Sequence, residues 1–250
     1  MAIALITGGS RGIGKSVALH LAQAGTDSIV TYKASAAAAA AVVKEIQAQG
    51  RRAVALPLDV ADSRSFGAFA EQVRSALQQT WQKERFDFLV NNAGTGLHKA
   101  FAETTEEEFD VLLREHLKGP FFLTQKLLPL LADGGRIVNI STGLARFAMQ
   151  GSSAYAIMKG GVEVLTRYLA KELGPRGIAV NTIAPGAIAT DFRGGAVRDN
   201  KQVSDFIATQ TALGRVGQPD DIGLAIAALL GEGGRWVNGQ RIEASGGMFL

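Results

Sequence analysis

Residues 7–14 read Thr7-Gly8-Gly9-Ser10-Arg11-Gly12-Ile13-Gly14 and follow directly on the apolar run Ala2–Ile6. A short apolar run cut off by glycine reads as a buried strand. From Ile13 to Gln23 apolar residues recur at helical spacing. Strand, glycine turn and helix in that order make the opening of a dinucleotide-binding unit. Glycine allows a tight turn and lets the backbone approach a phosphate with no Cβ in the way. The helix that follows offers free N–H groups and a positive dipole end to a pyrophosphate. The spacing Gly8-x3-Gly12-x-Gly14 differs from G-x-G-x-x-G, so the turn taken alone also fits a purely structural glycine bend.

Outward from this turn, short β-rich runs alternate with longer helical ones. Strands are predicted at Ala2–Ile6, Ser28–Tyr32, Ala53–Leu58, Phe86–Val90, Arg136–Ile140, Ile178–Ile183 and near Gln240–Glu243. Helices are predicted over Ile13–Gln23, Ser35–Gln49, Arg64–Gln79, Glu106–Leu131 and Ser153–Leu173, and from Pro219-Asp220-Asp221 onward. The alternation predicts an α/β fold, a doubly wound parallel sheet of Rossmann type with helices on both faces. No Pro/Ser-rich linker divides the 250 residues, so a single domain over 1–250 is expected. Residues 185–218 are the one long irregular stretch and are a candidate substrate lid.

Composition narrows the chemistry. Cysteine is absent, which excludes a disulfide scaffold, a thiolate nucleophile and a cysteine-ligated metal. Glycine is abundant, 30 of 250, without a period of three, so its uses must be local. The charge is 26 − 23 = +3, with basic and acidic residues interleaved. That reads as a mixed solvated surface, not a nucleic-acid footprint. No apolar stretch reaches the roughly 18–20 residues of a membrane span, and no basic leader precedes Ala2. A cytoplasmic protein with no membrane or nucleic-acid partner is the expectation. His20 and His98 have no companions at metal-ligand spacing, so no metal is expected.

The second strand ends Val30-Thr31-Tyr32-Lys33. An NAD-binding unit ends this strand with an acid for the ribose 2′-OH. Here Tyr32 stands at that place, Lys33 follows, and Arg11 lies in the glycine turn. Two cations and no carboxylate suit a 2′-phosphate, so NADP(H) is predicted over NAD; the alternative is two plain surface cations. Farther on, Tyr155-Ala-Ile-Met-Lys159 sets a phenol and an ammonium four apart on one predicted helix face, where they can converge.

Together these residues resemble the short-chain dehydrogenase/reductase family in its single-domain form. The resemblance spans nearly the whole chain. It runs through Thr7–Gly14, Asp59-Val60, Asn91-Asn92-Ala93-Gly94, Ile140-Ser141-Thr142, Tyr155/Lys159, Pro185-Gly186-Ala187-Ile188-Ala189-Thr190, Asn238–Glu243 and Gly246-Gly247. It implies about seven strands in the order 3-2-1-4-5-6-7. It also implies an oxidoreductase that moves hydride between a nicotinamide and a ketone or secondary alcohol. By the same resemblance Gly8, Ser10, Arg11, Gly12, Ile13 and Gly14 would form the cofactor turn, with Tyr32 and Lys33 at the adenosine ribose. Asp59 and Val60 would meet the adenine; Asn91, Ala93 and Gly94 would line its ribose and brace the sheet centre. Pro185, Gly186, Ile188 and Thr190 would hold the nicotinamide end. Tyr155 would be the acid/base, and Lys159 would hold the nicotinamide ribose and lower the phenol pKa from about 10. A homotetramer or homodimer is implied, with the helices around 106–131 and 153–173 at the contact.

The chain departs from the family pattern in two places. Serine commonly stands thirteen residues before the tyrosine; here that position is Thr142, with Ser141 before it. Threonine keeps the hydroxyl, so Thr142 is favoured over Ser141 as the group that orients the substrate. His116 occupies the place of a helix asparagine that holds a relay water. A neutral imidazole can donate and accept, so it could serve the relay, or it could merely satisfy a local carbonyl. The substrate is less legible. Asp133 stands where reductases of 3-oxoacyl thioesters on acyl carrier protein tend to carry a cation, with only Arg136 and Arg176 near it in sequence or pattern. A small ketone, diketone or sugar-like carbonyl is therefore favoured over the carrier-bound thioester. A non-catalytic NADP-sensing member is the rival from another class, and the intact Tyr155/Lys159 pair argues against it. Trp81 and Trp236 read as packing residues, and Gln78–Arg85 suggests no function.

Overall fold

Seven parallel strands form one sheet in the order β3-β2-β1-β4-β5-β6-β7, as the family resemblance implied. They are β1 (Ile3–Ile6), β2 (Asp27–Tyr32), β3 (Ala53–Pro57), β4 (Phe86–Asn91), β5 (Leu131–Ile140), β6 (Ala179–Pro185) and β7 (Arg241–Ala244), in a computed structural model that describes residues 1–250. The strands alternate with α1 (Gly12–Gln23), α2 (Ala36–Ala48), α3 (Phe66–Ala76), α4 (Glu106–Leu113), α5 (Gly119–Leu127) and α6 (Ser153–Leu173). Beyond β6 come α7 (Ala196–Asp199), α8 (Lys201–Thr209) and α9 (Pro219–Leu230). No helix is long and apolar enough to cross a membrane.

The period of two along β1 distributes its side chains. Ile3 and Leu5 join one apolar layer, with Phe66 and Val73 of α3, Leu127 of α5 and Leu173 of α6. Ala4 and Ile6 join the other, with Val17 and Leu21 of α1, Val42 of α2 and Ile226 of α9. Both faces of the central strands are thus covered, which is why β1 and β6 are buried along their whole length. Each buried Leu or Ile side chain contributes about 1.5–3 kcal/mol. The strand order reverses between β1 and β4, and in open α/β sheets such a switch point, at the carboxyl ends of the strands, is where ligands bind.

Several boundaries differ from the sequence expectation. The long helical region 106–131 is two helices joined by a wide π-type turn, Arg114–Lys118. Pro120 has no N–H to bond back to the carbonyl of His116, so the α-helical ladder loses a rung there. Leu131 already belongs to β5, ahead of the expected start at Arg136. A bulge explains the miss: Leu131 pairs with Phe86 and Arg136 with Phe88, and Gly134 between them has φ +76°. Residues 185–218 are not irregular throughout. They hold the turn Phe192–Gly195, α7 and α8, and the Asn200 side chain caps α8 by accepting from the N–H groups of Gln202 and Val203.

The two tryptophans differ. Trp81 is buried and donates its indole N–H to the Asp27 carboxylate at 2.7 Å, where Arg52 also donates. This clasp ties the segment Gln78–Arg85 to the start of β2. Trp236 is not a packing residue within the chain; it is 95% exposed.

Candidate active site

The helix α6 brings Tyr155 and Lys159 onto one face, one turn apart, and both are buried. Lys159 Nζ donates to the carbonyl of Ile140, the last residue of β5, at 2.8 Å. The same nitrogen lies 5.6 Å from the centre of the Tyr155 ring. The phenol ring is enclosed on other sides by His116, edge-on at 5.1 Å, and by Phe192 at 5.8 Å. Arg193 places its guanidinium carbon 5.7 Å from the ring centre.

Burial governs the charges here. Desolvation lowers Lys159 to about 7, with Glu115 opposing the shift. Desolvation raises Tyr155 well above its ordinary value, with Arg193 opposing. Among these side chains alone desolvation outweighs Arg193, and the phenol holds its proton; the lowering expected from Lys159 belongs to the site with the nicotinamide cation beside it. His116 is pushed well below the ordinary imidazole range, by burial first and by Lys159 second, so its ring is neutral.

At the end of β5 the two hydroxyls have different employments. Ser141 is buried and donates to Glu163 at 2.6 Å. Glu163 also accepts from Arg241, which donates in turn to the Thr142 carbonyl at 3.2 Å. The chain of ions continues through Glu243 to Arg146, which holds the carbonyl of Met248 near the C-terminus. Thr142 Oγ1 accepts from the N–H of Leu144 at 3.3 Å, and its own O–H is left to donate elsewhere. Ser141 is thus committed to Glu163, while Thr142 can serve a ligand.

His116 sits in the wide turn before α5. Nε2 lies 2.5 Å from the Thr95 carbonyl, and Nδ1 is buried without a partner. One nitrogen therefore satisfies a local carbonyl and the other is unused. Gly94 exists for this ring: a Cβ there would stand 2.2 Å from His116 Cε1. Glu115 holds the same loop, accepting from Thr95 N at 3.0 Å and Thr95 Oγ1 at 2.6 Å.

The glycine turn lies at the carboxyl end of β1. Gly8 and Gly12 have φ of +66° and +54°, and a Cβ on Gly14 would meet the Gly8 carbonyl at 2.3 Å. No side chain caps α1 at Arg11, so the first N–H groups of the helix are free for an anion. This close glycine cradle fits a pyrophosphate. Thr7 and Asn92, given no role from sequence, lock it. Thr7 Oγ1 accepts from Asn92 N at 2.9 Å and Ala93 N at 3.0 Å, and Asn92 Nδ2 donates to the Thr7 carbonyl at 2.9 Å. Thr31 adds its hydroxyl as acceptor for Gly8 N at 3.2 Å.

The remaining candidates divide. Ser10 and Ile13 are half-buried in the turn, and Thr190 approaches Gly12 from beyond β6. Pro185 is buried, Gly186 packs on Ser245, and Ile188 bridges to Gly217. Asn91 points its amide into the sheet, donating to Asn139 at 2.8 Å and Thr124 at 3.1 Å, so its side chain braces β4 and β5. Tyr32 is half-buried at the end of β2. Lys33 pairs with Asp59 at 2.9 Å beside the buried Val60, and Arg11 is exposed, 3.8 Å from Asp191. His20 and His98 stand apart, the first 3.2 Å from Asp220 and the second packed against Gly151.

Comparisons with known proteins agree with this geometry. A sequence model of the family described as enoyl-(acyl carrier protein) reductase matches residues 8–249. The 3-oxoacyl-[acyl-carrier-protein] reductase FabG of Staphylococcus aureus is 38% identical over 249 residues, covering 99% of this chain and 98% of the relative. Among solved structures, the angucycline C-6 ketoreductase LanV with bound NADP superposes with a TM-score of 0.94 at 35% identity, covering 99% of this chain and 95% of that one. A short-chain dehydrogenase from Burkholderia cenocepacia in complex with NADP gives 0.90 at 36% identity, covering 98% of this chain and 97% of that one.

Proposed function

The chain belongs to the short-chain dehydrogenase/reductase family of oxidoreductases, and from that premise we propose that it is an NADP(H)-dependent carbonyl reductase or alcohol dehydrogenase with Tyr155 as its acid/base. One observation carries this reading. Tyr155 and Lys159 are buried together, with Lys159 bonded to the last residue of β5 just before Ser141 and Thr142, and the glycine cradle follows β1 at the same carboxyl end of the sheet.

The cradle Gly8–Gly14 and the start of α1 would take the pyrophosphate. Arg11 and Lys33 would face a 2′-phosphate, Asp59 and Val60 the adenine, and Ala93 and Gly94 its ribose. Lys159 would meet the nicotinamide ribose, with Pro185, Gly186, Ile188 and Thr190 at the ring. Bound NADP in a similar ketoreductase and in a similar short-chain dehydrogenase supports the choice of cofactor. When bound, the reduced nicotinamide supplies hydride to a carbonyl carbon.

The side chains manage the oxygen. Thr142 donates its O–H to it, and Tyr155, protonated at rest, transfers the phenolic proton as negative charge develops there. Carbonyl, hydride and proton together give the alcohol. Lys159, near 7, is poised between charged and neutral forms and can return a proton to the phenolate. His116 stands edge-on to the same ring with Nδ1 free, where a relay to solvent would need an acceptor. Residues 185–218 act as the lid of this single domain, since Phe192 and Arg193 already lie on Tyr155.

For the substrate, the approach to β5 favours a small carbonyl compound. Arg136 turns inward to the Leu230 carbonyl and over the Phe88 ring. Asp133 is held by Arg176 at 2.7 Å and Arg85 at 3.5 Å. This leaves little free cation for an acidic carrier. The identity to FabG favours the second reading, a 3-oxoacyl thioester on acyl carrier protein. The deciding assay follows nicotinamide absorbance with NADPH and NADH against free carbonyl compounds and a carrier-bound 3-oxoacyl thioester. Turnover with NADPH is expected, and Tyr155→Phe lowers kcat by about 10²–10⁴ with the fold intact by circular dichroism. Near wild-type turnover in that variant overturns the assignment.

A further inference from the structure

Arg193 lies in the turn Phe192–Gly195 with left-handed backbone, φ 52° and ψ 42°. A non-glycine residue persists there only where its surroundings hold it, and such residues gather at functional sites. The holding groups are plain. Nη2 donates to the Leu97 carbonyl at 2.7 Å and to Ser152 Oγ at 3.3 Å. The neighbouring Phe192 packs on the Tyr155 ring, and Gly96 leaves the room for both: a Cβ there would stand 2.6 Å from Phe192 and 2.7 Å from Arg193.

What this guanidinium lacks is an anion. Its partners are one carbonyl and one hydroxyl, both neutral. Asp191, two residues away, is shared by Arg11 and Arg198. Arg193 Nε is buried with no acceptor at all. A half-buried cation among neutral groups is costly, and an unused buried N–H adds to the cost. The planar fork of arginine matches a carboxylate with two parallel hydrogen bonds. This fork lies over the ring of the residue that meets the reacting oxygen.

We propose that Arg193 binds a carboxylate on the substrate, so that the site prefers oxo acids whose carboxylate lies within a few bonds of the reacting carbonyl. The inference rests on the reading of Tyr155 as the acid/base of a carbonyl reductase. Arg193 binds and orients; it takes no part in the proton transfer. An incoming carboxylate supplies the missing counter-charge, which a neutral ketone of the same skeleton does not.

The test compares pyruvate and acetoacetate with their methyl esters, using the full chain and NADPH. At least one acid is expected to exceed its ester in kcat/KM by about tenfold to a hundredfold, the scale of a hydrogen bond to a charged group. In Arg193→Met the acid-to-ester ratio falls at least tenfold, chiefly through KM of the acid, and Arg193→Lys restores part of it. A ratio near one in the unaltered protein, or a ratio unmoved by Arg193→Met, overturns the proposal while leaving the reductase reading in place. Calorimetric titration of acetoacetate into the protein saturated with NADP⁺ gives a readout without turnover. Binding that depends on Arg193, with no carbonyl compound reduced, overturns the reductase reading and leaves the anion site standing. No binding there and no acid preference in turnover removes the anion site.

Discussion

Lys159 shows how much a single residue can concede to chemistry. Its ammonium has an ordinary value of 10.5 in the open chain and about 7 in the folded one. Between those values the unfolded chain binds more protons, so stability rises with pH across that window. Below pH 7 both states carry the charge, and the folded state bears the whole cost of burying it. Lys159→Met is therefore expected to raise stability at pH 6 by about 1–3 kcal/mol, after the lost hydrogen bond to Ile140 is set against the relief. The advantage should fade as pH approaches 10, and thermal melts of the two proteins between pH 6 and 10 check it. An advantage constant across that range would show that the ammonium is not the source. At this scale the sequence spoke well for residue type and poorly for environment. The spacing of Tyr155 and Lys159 announced their meeting, because i and i+4 share a helix face in any sequence. It did not announce that enclosure beside His116 and Phe192 would raise the phenol against the opposing Arg193, since Phe192 and Arg193 come from a loop without a motif.

The first turn of α1 concentrates the requirements of an element. Gly14 is where the helix passes closest to the strand exit, against the Gly8 carbonyl and the Asn92 amide. Gly14→Ala is expected to cost about 1–3 kcal/mol by overpacking and to weaken NADPH binding, because the Cβ must push the cradle open. Calorimetry of NADPH binding together with a thermal melt checks both halves; unchanged affinity would mean that the cradle is not the phosphate site. Elements with a strong period were readable: α6 begins and ends where its pattern does, and the strand alternation along β1 sorts its side chains into the two apolar layers. Those broken by proline or glycine were not. Pro120 splits the long helix through a hydrogen bond it cannot make, and Gly134 hides the first part of β5 behind a bulge. Asn200 caps α8 within a stretch whose glycines made it look like loop.

The whole molecule leaves apolar side chains on its outside. Phe121 and Phe122 on α5 and Val164 and Tyr168 on α6 are exposed, as are Trp236 and Leu250. Apolar surface of this kind commonly marks contact with other chains. With the family resemblance it supports self-association through α5 and α6, and sedimentation at micromolar concentration is expected to give a dimer or tetramer, not a monomer. Phe122→Glu together with Tyr168→Glu should shift that mass toward the single chain; a monomer before substitution defeats the idea. Sheet order was legible through the family resemblance, whose motifs run from Gly8 to Gly186. The same resemblance pointed to the helices that stand bare; periodicity alone did not, since a helix face reads as apolar whether its neighbour belongs to the same chain or another.

The contrast between the two tryptophans also gives the chain a built-in optical pair. Trp81, enclosed against Asp27, should emit at short wavelength and resist iodide, while Trp236 should emit at long wavelength and be quenched freely. With no third indole to confuse them, the blue component reports on the clasp at the sheet margin, and the red one on the surface near the end of α9. If copies of the chain cover Trp236, its quenching will diminish as concentration rises, so light alone can follow both folding and assembly in the unlabelled protein.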